Sequence, residues 1–199
     1  MGGSMATGGG MGGSMATGNH LWSKRFGGTS FDFGTSVAVD SAGNVLVTGE
    51  FNGTADFGGG GLTSAGNTDI FVAKYDAAGN HLWSKRFGGT NYDYGYSVAV
   101  DSAGKVLVTG YFSGTADFGG GGLTSAGQFD IFVAKYDAAA NHLWSKRFGE
   151  AGSDAGNSVA VDSGGNVLVT GSFEDTVDFG GGGLTSAGFA DIFVAKFSP

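Results

Sequence analysis

The feature that most restricts this sequence is an internal repeat of 61 residues. The segment NHLWSKRFG begins at Asn19, again at Asn80 and again at Asn141, and the residues between these points are nearly the same each time. Recurrence at such a period is typical of repeat architectures, in which each unit buries its apolar surface only against its neighbours. We therefore expect three structural units, over residues 19–79, 80–140 and 141–199, and none should fold alone.

Each repeat contains four segments that are expected to form β-strands. In the first copy they are residues 20–26, 36–40, 44–51 and 69–76, which are rich in Val, Ile, Phe and Trp and are separated by turn sequences such as DSAGN and DAAGN. The run 37–39 lacks polar alternation, which predicts a strand buried on both faces. The sequence thus predicts an all-β fold of four-stranded antiparallel sheets stacked face to face, a β-propeller with three blades per chain.

These segments also resemble a known family when they are read in order. VAVD, GNVLVTG, DIFVAK and HLWSKRFG recur in the sequence and spacing of the seven-bladed-propeller-type repeats of bacterial secreted and lipid-anchored surface proteins. The resemblance covers residues 19–199. It implies that VAVD is the innermost strand and HLWSKRF the outermost, and it suggests an extracellular or cell-surface location. The stretch TADFGGGGLTSAG makes the unit longer than usual, so we expect an additional loop or small hairpin after the second strand.

The phase of the repeat raises the question of how the ring closes. The first outer strand, with His20, Leu21, Trp22 and Phe26, precedes its own blade, and the third copy stops before an outer strand. Propellers have about four to eight blades, so three are too few. We expect strand exchange between chains, with a homodimer of six blades favoured and a trimer of nine blades as the alternative. An open fragment of a longer propeller and a single-chain β-trefoil are further interpretations.

Differences between the copies are concentrated on one predicted face of the disc. There, aromatic side chains alternate with aspartates, an arrangement that could stack on sugar rings and accept hydrogen bonds from hydroxyls. The alternative, which we favour, is that the aromatic rings pack between blades and each aspartate orders its own loop. The residues of this candidate ligand face are Phe31, Asp32, Phe33, Tyr92, Asp93, Tyr94, Tyr96 and Asp154.

Charge and composition exclude several classes of function. The net charge of −8 opposes binding to nucleic acid or to an anionic membrane, and the absence of cysteine removes disulfides and thiolate metal sites. Residues 1–18 contain MGGSMATG twice and are interpreted as an appended, disordered leader of an engineered or excised chain.

No catalytic, cofactor or metal site is predicted. The three histidines occur once per repeat and cannot converge on one ion. Asp32 with Asp40, or Asp56 with Asp69, could meet, but neither pair has the spacing of a calcium loop. The sequence therefore favours a non-enzymatic, self-assembling propeller; the alternative is a multivalent module that binds a glycan or a protein.

Overall fold

The computed structural model describes residues 18–199, and within them the chain is built from antiparallel strands without any helix. No described segment is therefore a helix that could cross a membrane. The predicted leader lies almost entirely outside the described residues.

Three sheets, here called blades one, two and three, follow the three repeats. Blade one has the order β2 (Asp32–Val39), β3 (Val45–Phe51), β6 (Asp69–Tyr75) and β7 (His81–Gly89). Blade two repeats this order with β8 (Asp93–Val100), β9 (Val106–Phe112), β12 (Asp130–Tyr136) and β13 (His142–Phe148). Blade three has β14 (Ala155–Val161), β15 (Val167–Phe173) and β18 (Asp191–Phe197). The predicted strand order, from VAVD inside to HLWSKRF outside, is confirmed in blades one and two.

A small hairpin follows the second strand of each repeat, as the extra length predicted. These hairpins are β4 (Thr54–Asp56) with β5 (Gly61–Thr63), β10 (Thr115–Asp117) with β11 (Gly122–Thr124), and β16 (Thr176–Asp178) with β17 (Gly183–Thr185). The hairpin of blade two pairs with the end of β7, the outer strand of blade one. Each attached hairpin therefore belongs to one blade but extends the sheet of the blade before it.

One predicted strand has no partner in the described chain, and another begins earlier than predicted. Residues 20–26 are not hydrogen-bonded as a strand, because no neighbouring strand pairs with them in the described chain; only β1 (Gly27–Gly28), which pairs with β4, is a strand there. The innermost strand begins at Asp32 rather than at Ser36. Part of the candidate ligand face is thus strand, because Phe33 lies on β2 and Tyr94 and Tyr96 lie on β8.

The apolar cores lie between the blades. Leu46, Ile70 and Val72 of blade one pack in one buried cluster with Val98 and Val108 of blade two. An equivalent cluster joins blade two to blade three, with Ile131 and Val133 against Val159, Val167 and Val169. The prediction that the run 37–39 is buried on both faces is wrong, because blade one has no neighbour on that side and Val37 and Val39 are 64% and 59% exposed. Burial on both faces is seen instead in β6 of blade one and in β9 and β12 of blade two.

Candidate functional site

The aromatic residues of the candidate ligand face form a continuous cluster at the contact between blades one and two, which we call the first junction. Tyr94 and Tyr111 are opposite each other on β8 and β9, with ring centroids 4.8 Å apart. The Tyr96 and Tyr111 hydroxyls are 3.0 Å apart and share a hydrogen bond. Phe129 packs on Tyr111 with a centroid distance of 5.1 Å. All four rings belong to blade two, and they pack on one another.

The other aromatic residues of the candidate ligand face differ in how much of each side chain is exposed. Tyr92 is 45% exposed and stacks on Tyr94, whereas Phe31 is 79% exposed and Phe33 is 55% exposed at the open side of blade one. The aromatic face is therefore mostly covered at the first junction and open at blade one.

Glu50 lies beside this cluster, and the sequence analysis did not select it. Its Oε2 atom is buried without a hydrogen-bond partner, and burial raises the pKa of its carboxyl above the usual value. Glu50 occupies the position of Tyr111 and Ser172 in the other copies. The variation among the copies at that position was the signal that pointed to it.

The predicted aspartates lie beneath the face rather than on it. Asp93 is fully buried, and its Oδ2 accepts a 2.7 Å hydrogen bond from the Gly89 N–H. Asp32 accepts the equivalent bond from the Gly28 N–H at 2.7 Å. The fully buried Asp154 instead accepts the Glu174 N–H through Oδ1 at 3.0 Å. Each of the three carboxylates therefore holds backbone at a blade junction or at the open side of blade one.

A second aspartate approaches Asp93, although the sequence pairs that we considered were different. A Cβ on Gly88 would lie 2.7 Å from Asp93 Oδ2 and 3.0 Å from Asp69 Oδ1. Asp69 Oδ2 accepts a 2.5 Å ion-paired hydrogen bond from Arg86, but Oδ1 of both aspartates is buried without a partner. Burial, strengthened by the charge of Asp69, raises the pKa of Asp93 to about 7.

The same arrangement recurs between blades two and three, at the second junction. Arg147 pairs with Asp130, and Asp154 lies next to them across Gly149. Burial raises the pKa of Asp154 to about 6, and the carboxylates of Asp130 and Glu174 contribute to the rise. Each junction of the described chain thus contains two aspartates and one arginine from neighbouring repeats.

The predicted ring-closure segment lies where an outer strand belongs. The Trp22 indole donates a hydrogen bond to the Ala77 carbonyl at 3.1 Å, and Phe26 stacks on Tyr75 at 4.7 Å. In β7 the corresponding Trp83 donates to Ala138 at 3.3 Å. Phe87 stacks on Tyr136 at the same 4.7 Å distance as the Phe26 pair. Residues 20–28 therefore lie against blade one as the outer strand of a preceding blade would.

Within this segment, Leu21 is 88% exposed and Trp22 is 37% exposed, and His20 is also exposed. The equivalent His81 contacts Ser84 Oγ through Nε2 at 3.1 Å. It lies under the glycine-rich turn that joins β4 to β5. A Cβ on Gly59 would lie 2.2 Å from the His81 ring, so the glycine run serves close packing. Among residues 18–199 no three His, Asp or Glu side chains are grouped to hold a metal ion.

Comparisons with known proteins find the same three units. The sequence pattern of the SBBP beta-propeller repeat matches residues 21–58, 82–118 and 143–172. The chain is 29% identical over 187 residues to an uncharacterized WD repeat-containing protein of Acanthamoeba polyphaga mimivirus, covering 77% of this chain and 13% of that protein. It is 30% identical over 137 residues to the regulatory protein FlaEY of Caulobacter vibrioides, covering 67% and 14% respectively. The chain therefore spans a small part of the length of either relative.

Proposed function

The chain belongs to the SBBP beta-propeller repeat family, and on that premise we propose that it is a non-enzymatic repeat scaffold whose copies close into one ring by exchanging a strand. The exchanged strand is residues 20–26 of one copy, and it pairs with β18 of another. Two copies make a ring of six blades, which lies within the usual range of about four to eight.

The observation that carries this proposal is the match between an unpaired segment and an unpaired edge. Residues 20–26 already have the tryptophan and phenylalanine contacts of an outer strand on blade one. In blades one and two the third strand pairs with such an outer strand, whereas β18 pairs in the described chain only with β15. An open edge of this kind is a template for strand addition.

The two open sheet faces support the same arrangement. Ile192 and Val194 of blade three are 84% and 74% exposed, although their equivalents Ile70 and Val72 are at most 1% exposed inside the first junction. Val37 of blade one is 64% exposed, whereas its equivalent Val98 is 5% exposed. The two open faces are thus copies of the two halves of a junction that packs within the chain, and apolar faces of this size indicate an interaction surface.

The repeat also fixes the register that the exchange should have. Ala73 pairs with Ser84 between β6 and β7, so Ala195 should pair with Ser23 of the second copy. Because the chain has no cysteine, the double variant Ser23→Cys with Ala195→Cys carries only two thiols. Directly opposed residues have Cβ atoms about 4.5–5.5 Å apart, close enough for a disulfide after a small adjustment.

We expect this double variant to form covalently closed dimers under mild oxidation, seen as a reducible band at twice the 19.9 kDa chain mass. The control is Leu21→Cys with Ala195→Cys, which is two residues out of register and should crosslink much less. Light scattering on the reduced protein should give the same dimer mass. A monomer that crosslinks neither pair would refute the proposal, and a trimer would replace six blades by nine.

A further inference from the structure

An open cleft of about 290 Å³ lies at the second junction, on the same face as the aromatic cluster. Tyr111 and Phe129 of blade two form one wall, and Ser172 and Glu174 of blade three contribute to the other. The fully buried Asp154 lies at its base. All of these residues belong to one chain, so the cleft does not depend on ring closure.

The cleft exists because four aromatic side chains are missing from the third copy. The second copy has Tyr92, Tyr94, Tyr111 and Phe129 at the positions of Ser153, Ala155, Ser172 and Ala190 in the third. Ala155 and Ser172 are opposite each other on β14 and β15, as Tyr94 and Tyr111 are on β8 and β9. The smaller residues leave one edge of the Tyr111 and Phe129 pair uncovered on the side of blade three.

The charges around the cleft are negative. Glu174 and Asp154 line it, and no lysine, arginine or histidine does. The nearby Arg147 is already bound to Asp130 and to the Gly149 carbonyl. The pKa of Asp154 is raised by burial and by the neighbouring carboxylates, which shows that negative charge there is poorly compensated.

We propose that this cleft binds a guanidinium group, as in an arginine side chain of a partner peptide. A planar guanidinium can stack on the Tyr111 and Phe129 rings while it donates hydrogen bonds to a carboxylate. Glu174 is suited to accept them, because only its Oε2 is engaged, by the Ser153 N–H at 3.0 Å. Ligand pockets for small molecules measure roughly 300–1,000 Å³, so the cleft suits one side chain better than an oligosaccharide.

The test is a titration of the full chain with N-acetyl-arginine amide, followed by NMR shifts of the Ser153 and Glu174 amides. N-acetyl-citrulline amide is the matched probe, because it has nearly the same shape without the charge. We expect saturable binding of the arginine probe and none of the citrulline probe. The variant Glu174→Gln should weaken binding about tenfold, the size expected for one lost charge-assisted contact.

Two variants separate the cleft from general electrostatics and from folding. Glu150→Gln removes one exposed charge outside the cleft and should leave the affinity unchanged. Ala155→Tyr with Ser172→Tyr places tyrosines where the second copy has Tyr94 and Tyr111, so it should fill the cleft and abolish binding with an unchanged circular dichroism spectrum. Equal binding of both probes, equal weakening by the two charge variants, or binding of simple sugars that Glu174→Gln does not affect would overturn the proposal.

Discussion

The two junctions of this chain have the same backbone plan but are closed to different degrees. At the first, the β10–β11 hairpin pairs with β7, and tyrosines fill the face above the buried aspartates. At the second, the β16–β17 hairpin pairs with nothing beyond itself among residues 18–199, and the face opens into the cleft. Both junctions have an equivalent buried apolar cluster, so they differ only in the hairpin and in the face beside that cluster.

One position explains the different behaviour of the hairpins. A Cβ on Gly89 would lie 1.9 Å from the Thr115 carbonyl oxygen, and a Cβ on Gly28 would lie 1.9 Å from that of Thr54. The third copy has Glu150 at this position. Since a side chain cannot be accommodated at that distance, the hairpin of blade three does not pair with β13. Attachment of a hairpin to the preceding blade therefore requires a glycine at the end of the outer strand.

The largest effect should come from the buried aspartate of the first junction. The pKa of Asp93 is about 7 in the folded chain, above its usual value near 4. The folded chain therefore holds the Asp93 proton more tightly than the unfolded chain does. The stabilisation from this proton is fully present below the unfolded pKa and is lost as the pH rises through 7. Because each pKa unit corresponds to about 1.4 kcal/mol, the unfolding free energy should fall by about 2–4 kcal/mol between pH 5 and pH 8 on this account.

Urea denaturation at fixed protein concentration measures this change. Asp93→Asn should flatten the profile, whereas Asp154→Asn should remove a smaller part that lies between about pH 4 and pH 6. Glu150→Gln, at an exposed carboxyl, is the control and should leave the profile as it is. A profile that Asp93→Asn does not alter would show that the paired carboxylates are better compensated than their burial indicates.

A smaller effect should follow from converting one junction into the other. Gly89→Glu places a side chain where the Thr115 carbonyl lies, so it should detach the β10–β11 hairpin and cost about 2 kcal/mol of unfolding free energy. Hydrogen exchange should then quicken at Ala116 and Asp117. The reciprocal variant Glu150→Gly should slow exchange at Val177 and Asp178. Unchanged exchange in both would mean that something other than this residue releases the hairpin.

The smallest effect concerns the tyrosine cluster. Tyr96→Phe removes the hydroxyl that lies 3.0 Å from the Tyr111 hydroxyl, and it should cost about 1 kcal/mol, the usual net value of a hydrogen bond. Asn157→Ala is the matched variant, because Asn157 holds the same position at the second junction and is exposed. It should change stability little. An equal cost at both positions would show that the cluster does not strengthen the first junction.

The sequence predicted the strand order because the apolar runs and hairpin turns that determine it are local and recur three times. Whether residues 20–26 form a strand depends on a partner edge, which a local pattern does not contain, and within the single chain they have none. The sequence placed Asp93 and Asp154 on the ligand face, although they lie beneath it, because spacing along one repeat does not show that Asp69 and Asp93 meet across two. The cleft followed from substitutions that were visible in the sequence, but its depth depends on how neighbouring blades pack.

The outer strand of each blade is encoded at the start of the following repeat, as β7 (His81–Gly89) illustrates by pairing with β6 of blade one. The boundaries of a 61-residue repeat therefore do not coincide with the boundaries of a blade. Inserting or deleting a whole unit changes the number of blades but leaves an unpaired segment equivalent to residues 20–26 at one end and an edge equivalent to β18 at the other. Such a gene can gain or lose repeats by unequal recombination while the two partners of the proposed strand exchange are kept.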